Sequence, residues 1–283
     1  MRLTSSRDGL VDFVGAQDAI FKTGTAAPSL SIDSLEGCAS LYAVGPVKDL
    51  DGEITIIDSQ PYISRVRGTS YVVERSWKEQ AIFLSWSTQR TWQDITVPAS
   101  VLGYLDLQDF VKSTAQSVKL DTAKPFPFLL SGTPTEIQWH INVDRSEGKP
   151  ITAELFAKSK ANFVLRGEPV EIVGFYSEQH AGVFISKYAP AIPRETGRTN
   201  AIHIHFVSRV TQATGHIDNM ILDGGMILRL PTNHPIVANR PCRRVDRIER
   251  HPHAAWWRLA SNFCRSDLAA VASRMLKPVH SRD

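Results

Sequence analysis

Short apolar runs separated by turn-forming residues dominate positions 10–231, and most of them read as strands. Leu41-Tyr42-Ala43-Val44 runs into Gly45-Pro46, and Asp51-Gly52 introduces a second run over 53–57. Asp58-Ser59-Gln60-Pro61 then turns the chain into the alternating segment 62–66. β-Branched and aromatic residues bounded by Gly, Pro and Asp make strands joined by tight turns, so 41–66 predicts a β-meander. Further strands are predicted at 70–74, 81–87, 126–130, 135–143, 171–176, 182–186 and 226–230. The period changes over 106–118, where Leu107, Phe110, Val111, Ala115 and Val118 follow helical spacing and Asp106 stands where a cap belongs. Shorter helices are expected at 153–160 and over 33–36 with Asp33 as cap, and 10–24 reads as a strand or an arm. Mostly antiparallel sheet with few helices is an α+β reading.

The pattern shifts after residue 231. Asn233-His234-Pro235 and Arg240-Pro241 break structure, and Trp257, Ala260, Cys264, Leu268, Val271 and Met275 then recur at helical spacing. The chain therefore divides into a β-rich domain, 10–231, and a tail, 232–283, with an amphipathic helix. The net charge of +3 belongs to that tail: residues 239–283 hold ten Lys/Arg and four Asp/Glu, or +6, which leaves −3 for the other 238 residues. The basic balance thus says nothing about a ligand of the main domain, and neither a nucleic acid nor a membrane partner is expected. His251-Pro252-His253 in this basic loop reads as adventitious spacing.

Candidate chemistry concentrates in 199–222. Ile202, Ile204, Phe206 and Val207 are strand formers, so 201–208 reads as a strand with His203 and His205 on one face. Gly215 lets the chain turn, and Ile217, Met220 and Leu222 form a return strand that can bring His216 back to the same place. Three neutral imidazoles would leave the fourth position of a tetrahedral zinc open, the pattern of a catalytic site. Iron, manganese or nickel would also suit imidazole. The three cysteines, Cys38, Cys242 and Cys264, are odd in number without C-x-x-C spacing, which predicts reduced thiols. The first residues lack an apolar signal core and no run approaches membrane-spanning length, so the expected compartment is the cytoplasm.

Several pieces of the chain, in order, resemble the α-acetolactate decarboxylase family over roughly 13–231. They are Leu41-Tyr-Ala-Val-Gly-Pro46 with Leu50-Asp-Gly-Glu53, Pro125-Phe-Pro-Phe128 with Gly132, Val173-Gly-Phe-Tyr176, and His203-Ile-His-Phe206 followed by Gly215-His216. The resemblance implies a two-part α+β fold, a homodimer, a zinc ion on His203, His205 and His216, and conversion of 2-acetolactate to acetoin and carbon dioxide. It also directs Glu53 at the metal, whereas Glu53 read alone is an exposed carboxylate at a strand edge. The family's arginine for the substrate carboxylate is replaced here by His140, and its second glutamate has no counterpart, Glu249 lying in the tail.

Loss of carbon dioxide from acetolactate leaves two electrons on the ketone oxygen, and a proton must then be delivered to one face of the resulting enediolate. Glu53 is the candidate acid/base. His140 is a candidate substitute for the carboxylate clamp, weaker than arginine because it lacks the planar fork. Arg65 and Arg145 are alternatives for that role, and Asp218, Glu178 and His180 are candidates to orient metal ligands. Two other functions compete: a homologue that keeps the fold and metal without turnover, and a cupin-like metal oxygenase or isomerase. The latter needs a carboxylate ligand soon after the His pair, and 206–213 contains no Asp or Glu.

Overall fold

The computed structural model describes residues 5–188, 190, 192 and 196–232, so the tail with its expected helix lies, from 233 onward, outside the described residues. In chain order the elements begin with β1 Ser5–Asp8, β2 Val11–Val14, α1 Gln17–Thr23, β3 Leu30–Ser31, β4 Leu41–Pro46, β5 Glu53–Ile57 and β6 Gln60–Arg67. They continue with β7 Ser70–Glu74, β8 Gln80–Ala81, β9 Leu84–Thr88, β10 Trp92–Thr96, α2 Tyr104–Ser117, β11 Phe126–Gly132 and β12 Glu136–Asn142. The last are α3 Ala153–Lys158, β13 Lys160–Arg166, β14 Val170–Tyr176, β15 Ile202–Ser208, β16 Thr214–Ile221 and β17 Ile227–Pro231.

The strands form a seven-stranded sheet, β1-β2-β9-β4-β5-β6-β7, an eight-stranded sheet, β10-β17-β11-β14-β15-β16-β12-β13, and the small pair β3-β8. The two large sheets pack face to face through β4, β5 and β6 against β12, β14, β15 and β16. Strand alternation sorts the side chains into three layers. Ile172, Ile202, Ile204, Phe206, Ile137 and Trp139 face outward from the eight-stranded sheet, and α2 covers them with Tyr104, Leu107, Val111 and Ala115. Leu41, Ala43, Ile54 and Ile56 fill the outer side of the seven-stranded sheet. Tyr42, Val44, Leu129, Val173 and Phe175 pack in a third cluster, built from both sheets. The neighbours of the outward residues, Glu53, Thr55, His140, Asn142, His203 and His205, therefore point between the sheets.

The meander and the histidine strand lie where their patterns place them, and the structure differs elsewhere. Residues 10–24 split into β2 and α1, and 182–186 is a turn with an isolated bridge from Ala181 to Ile185 rather than a strand. The predicted helix 153–160 ends at Lys158, because Lys160 starts the edge strand β13. Asp106 is not the cap of α2. Gly103 is, and the Asp106 carboxylate reaches back to accept from the backbone N–H groups of Gly103 at 3.2 Å and Leu102 at 3.3 Å. Asp33 likewise sits inside a short 3₁₀ turn, Ile32–Leu35, capped by Ser31. Cys38 is disulfide-bonded, against the expectation of three reduced thiols. An odd count rules out complete pairing but permits one bridge; Cys242 and Cys264 lie outside the described residues. Among the described residues no helix is long and apolar enough to cross a membrane.

Gly215 does not turn the chain. The turn lies at 209–213, where Gln212 has φ +61° and Ser208 N–H donates to Ala213 C=O at 2.8 Å. Gly215 pairs with Phe206 inside β16, and a Cβ there would meet the His140 carbonyl at 2.6 Å and the Trp139 ring at 2.7 Å. Its small size lets β12 and β16 approach closely beside His140 and His216. Gly215→Ala is expected to destabilise the protein by about 1–3 kcal/mol through overpacking. A chemical-denaturation midpoint equal to that of the parent would contradict this.

Candidate metal centre

Cross-strand register assembles the site. His205 on β15 lies directly opposite His216 on β16, and His216 lies opposite His140 on β12. His203 is two residues from His205 and shares its face. The register between β12 and β16 slips between Gln138 and Trp139: Gln138 pairs with Asn219 and Trp139 with Ile217, leaving Asp218 as the extra, unpaired residue of a bulge. A bulge re-aims side chains, and this one brings Asp218 against two histidines while Met220 resumes the outer core. From the opposing sheet, β5 contributes Glu53 and Thr55.

The ring centres of His203, His205 and His216 stand 5.0 Å (203–205), 5.1 Å (203–216) and 5.5 Å (205–216) apart. Nδ1 of His203, Nε2 of His205 and Nδ1 of His216 are buried and have no hydrogen-bond partner. His205 Nδ1 contacts Thr55 Oγ1 at 2.9 Å, and Thr214 Oγ1 donates to the same hydroxyl at 3.0 Å. Glu53 is only 2% exposed, which overturns its reading as an exposed edge carboxylate. Its Oε2 lies 3.8 Å from the unpartnered Nε2 of His205, and its Oε1 lies 3.9 Å from Nε2 of His140. A neighbouring set is tighter: ligand-capable atoms of His140, His216 and Asp218 all lie within 4.8 Å of one another. In that set His140 Nδ1 and Asp218 Oδ2 are 2.6 Å apart, and the second oxygen is 3.6 Å from His216 Nδ1 and 3.5 Å from Lys160 Nζ.

Burial sets the charge states. It holds His203 and His205 well below the ordinary histidine value, reinforced by the neighbouring imidazoles. Burial and the Lys160 ammonium bring His140 down to about 3, against the opposing pull of Asp218. Burial likewise pushes Glu53 well above the usual carboxylate range, although Lys160 and hydrogen bonds from Asn142 oppose it. Burial would also raise Asp218, but its hydrogen bond to His140 and the neighbouring His216 ring outweigh that and keep it ionised. The centre thus holds neutral imidazoles at His140, His203 and His205, a protonated Glu53 and one carboxylate, Asp218, beside the Lys160 side chain.

A small pocket opens beside these groups, lined by Glu53, His140, Asn142, Lys160, His203 and His216 together with Phe83, Phe156 and Phe184. Arg65 is elsewhere, held by Asp51, Glu74 and Glu79, and Arg145 binds the Lys160 carbonyl at the surface. Glu178 pairs with Lys112, and His180 contacts Ser177, Phe13 and Phe184. Sequence reasoning missed Lys160, Asn142 and Thr55. Alternation from His140 would have placed Asn142, but nothing in the sequence aligns Lys160 with it.

Searches against protein-family models and against curated proteins returned no match. Solved structures do match. A protein of unknown function similar to alpha-acetolactate decarboxylase from Staphylococcus aureus superposes with a TM-score of 0.59 at 14% identity, covering 77% of this chain and 84% of that one. Alpha-acetolactate decarboxylase from Bacillus subtilis strain 168 gives 0.58 at 15% identity, covering 77% and 83%. Acetolactate decarboxylase from Bacillus subtilis subspecies spizizenii gives 0.58 at 16%, covering 77% and 84%. The fold is therefore acetolactate-decarboxylase-like, and it carries a buried group of residues suited to a metal.

The charge states have a consequence for stability. Below pH about 6.5 an unfolded chain takes up protons at His140, His203 and His205 that the folded, metal-free chain does not. Above pH about 4.5 Glu53 acts oppositely, since the folded chain keeps a proton that the unfolded chain releases. Unfolding between these limits thus absorbs a net two protons at the site. Acidification should lower the stability of the chelator-treated protein by up to about 2.7 kcal/mol per pH unit. Denaturation midpoints at pH 6.5 and 5.0 would check this; a midpoint that holds or rises on acidification contradicts it.

Proposed function

We propose that the protein is a zinc-dependent decarboxylase of 2-acetolactate, or of a related small 2-hydroxy-3-oxo acid, forming acetoin and carbon dioxide. The observation that carries the reading is the set of three buried histidines, each with one unpartnered ring nitrogen, beside a buried glutamic acid. An imidazole nitrogen lies about 1.15 Å from its ring centre, so zinc–nitrogen bonds of ~2.0–2.1 Å put ring centres about 3.2 Å from the ion and, at tetrahedral angles, about 5.2 Å from each other. The 5.0, 5.1 and 5.5 Å separations of His203, His205 and His216 fit that spacing. Turning each ring about its Cβ–Cγ bond moves the nitrogens while leaving the centres nearly in place. His203, His205 and His216 would hold the ion, with Thr55 accepting from His205 Nδ1–H and fixing its tautomer. The tighter set around Asp218 is disfavoured as the ligand set because its carboxylate is already engaged by His140 and Lys160.

When bound, zinc supplies a Lewis acid that stabilises negative charge developing on the substrate's ketone and hydroxyl oxygens. The residues around it supply the rest. As the bond to the carboxylate breaks, the electron pair passes to the ketone oxygen and an enediolate forms. Glu53, protonated through burial, has a proton to give to the enediolate carbon and regains one from solvent. His140 donates Nδ1–H to Asp218 and turns its Nε2 lone pair toward Glu53, 3.9 Å away. Being neutral, it does not bind a carboxylate by charge. The phenylalanine walls exclude water from a step that turns a charged carboxylate into neutral carbon dioxide.

Three variants test this. His203→Ala should lose stoichiometric zinc, whereas Asp218→Asn should retain it. The reverse pattern would move the ion to the His140–His216–Asp218 set. Glu53→Gln should keep zinc and lose acetoin formation by at least about 100-fold; unchanged turnover would remove Glu53 from the chemistry. Zinc without acetoin in the parent protein would leave the metal site standing and favour a homologue that binds without this turnover.

A further inference from the structure

Beside the zinc set stand two groups, Lys160 and Asn142, that act on Glu53 and still have polar capacity to spare. Lys160 and Asn142 are direct cross-strand partners on β13 and β12, and both line the cavity. Lys160 is the only Lys or Arg among the described lining residues, and its side chain is 12% exposed. Its ammonium carries three donors, and Asp218 approaches it at 3.5 Å. Asn142 is 5% exposed, and its Oδ1 is buried without a hydrogen-bond partner. An unpartnered acceptor beside a cation, both facing one cavity, is costly unless a ligand completes it.

We infer that Lys160 and Asn142 form the recognition wall for the substrate, Lys160 taking its carboxylate and Asn142 Oδ1 accepting from its 2-hydroxyl. The inference rests on the decarboxylase reading for the substrate class, but not for the existence of the wall. It selects small 2-hydroxy acids as anions: a carboxylate reaches the ammonium while the adjacent hydroxyl reaches the amide oxygen, as two groups on neighbouring carbons do. Asp218, 3.5 Å away, sets the position of the ammonium. Lys160 is a point charge on a flexible stem and releases a carboxylate that loses its charge as carbon dioxide forms.

Binding of 2-hydroxyisobutyrate, which has both groups but no ketone and cannot react, separates this wall from turnover. Calorimetric titration uses the zinc-loaded full chain. The parent should bind this acid at least tenfold more tightly than isobutyrate, which lacks the hydroxyl, or its own methyl ester, which lacks the charge. Lys160→Met and Lys160→Gln should weaken binding of the acid tenfold or more with zinc content unchanged, and Lys160→Arg should stay within a few-fold of the parent. Asn142→Leu should erase the preference over isobutyrate while leaving isobutyrate binding unaltered. Lys160-dependent binding in a protein that makes no acetoin would sustain the wall and sink the decarboxylase reading. Acid binding unchanged in a folded, zinc-loaded Lys160→Gln variant, or no binding by the parent at millimolar acid, would overturn the wall itself.

Discussion

Everything in the domain is arranged around the burial of imidazoles between two sheets. Three histidine side chains, each with one ring nitrogen deprived of water and of any protein partner, are held in the same inter-sheet space as a buried carboxylic acid. Such a group is expensive to bury, and a cation that takes the lone pairs offsets that cost. The surrounding structure makes the arrangement possible: outward-facing apolar residues on the same strands fill separate cores, so the polar face is left free to serve the site.

Opposite pKa pressures follow from the same burial. His203 and His205 are kept neutral, the state in which an imidazole can bind a metal, while Glu53 is kept protonated, the state in which it can deliver a proton. Asp218 is the exception, ionised inside the site because His140 hydrogen-bonds to it and His216 lies beside it, and Lys160 balances its charge. A single bulged residue thus orients one histidine, touches a second and places the cavity's cation.

Much of this was legible in the sequence wherever local period and function coincide. The His203-Ile-His205 alternation placed two histidines on one face, and the turn residues of 41–66 placed the meander that carries Glu53. What was not legible depends on register between distant strands. Glu53 reads as an exposed edge carboxylate until the second sheet covers it. Gly215 reads as a turn residue until Trp139 and the His140 carbonyl are seen against it. Lys160 reads as the end of a helix because its partner Asn142 is 18 positions away, beyond any periodic signal. Asp218 enters the site through a bulge, which no alternation rule anticipates. The parity of three cysteines argued for free thiols, yet one bridge is compatible with three.

The central claim is that one ion belongs among His203, His205 and His216. Anomalous diffraction at the zinc edge from crystals of the zinc-loaded protein measures it directly. The account predicts one peak about 2.0–2.1 Å from a ring nitrogen of each of the three histidines, with Glu53 beside it. A peak bonded instead to His140, His216 and the Asp218 carboxylate, or none between the sheets, would contradict it.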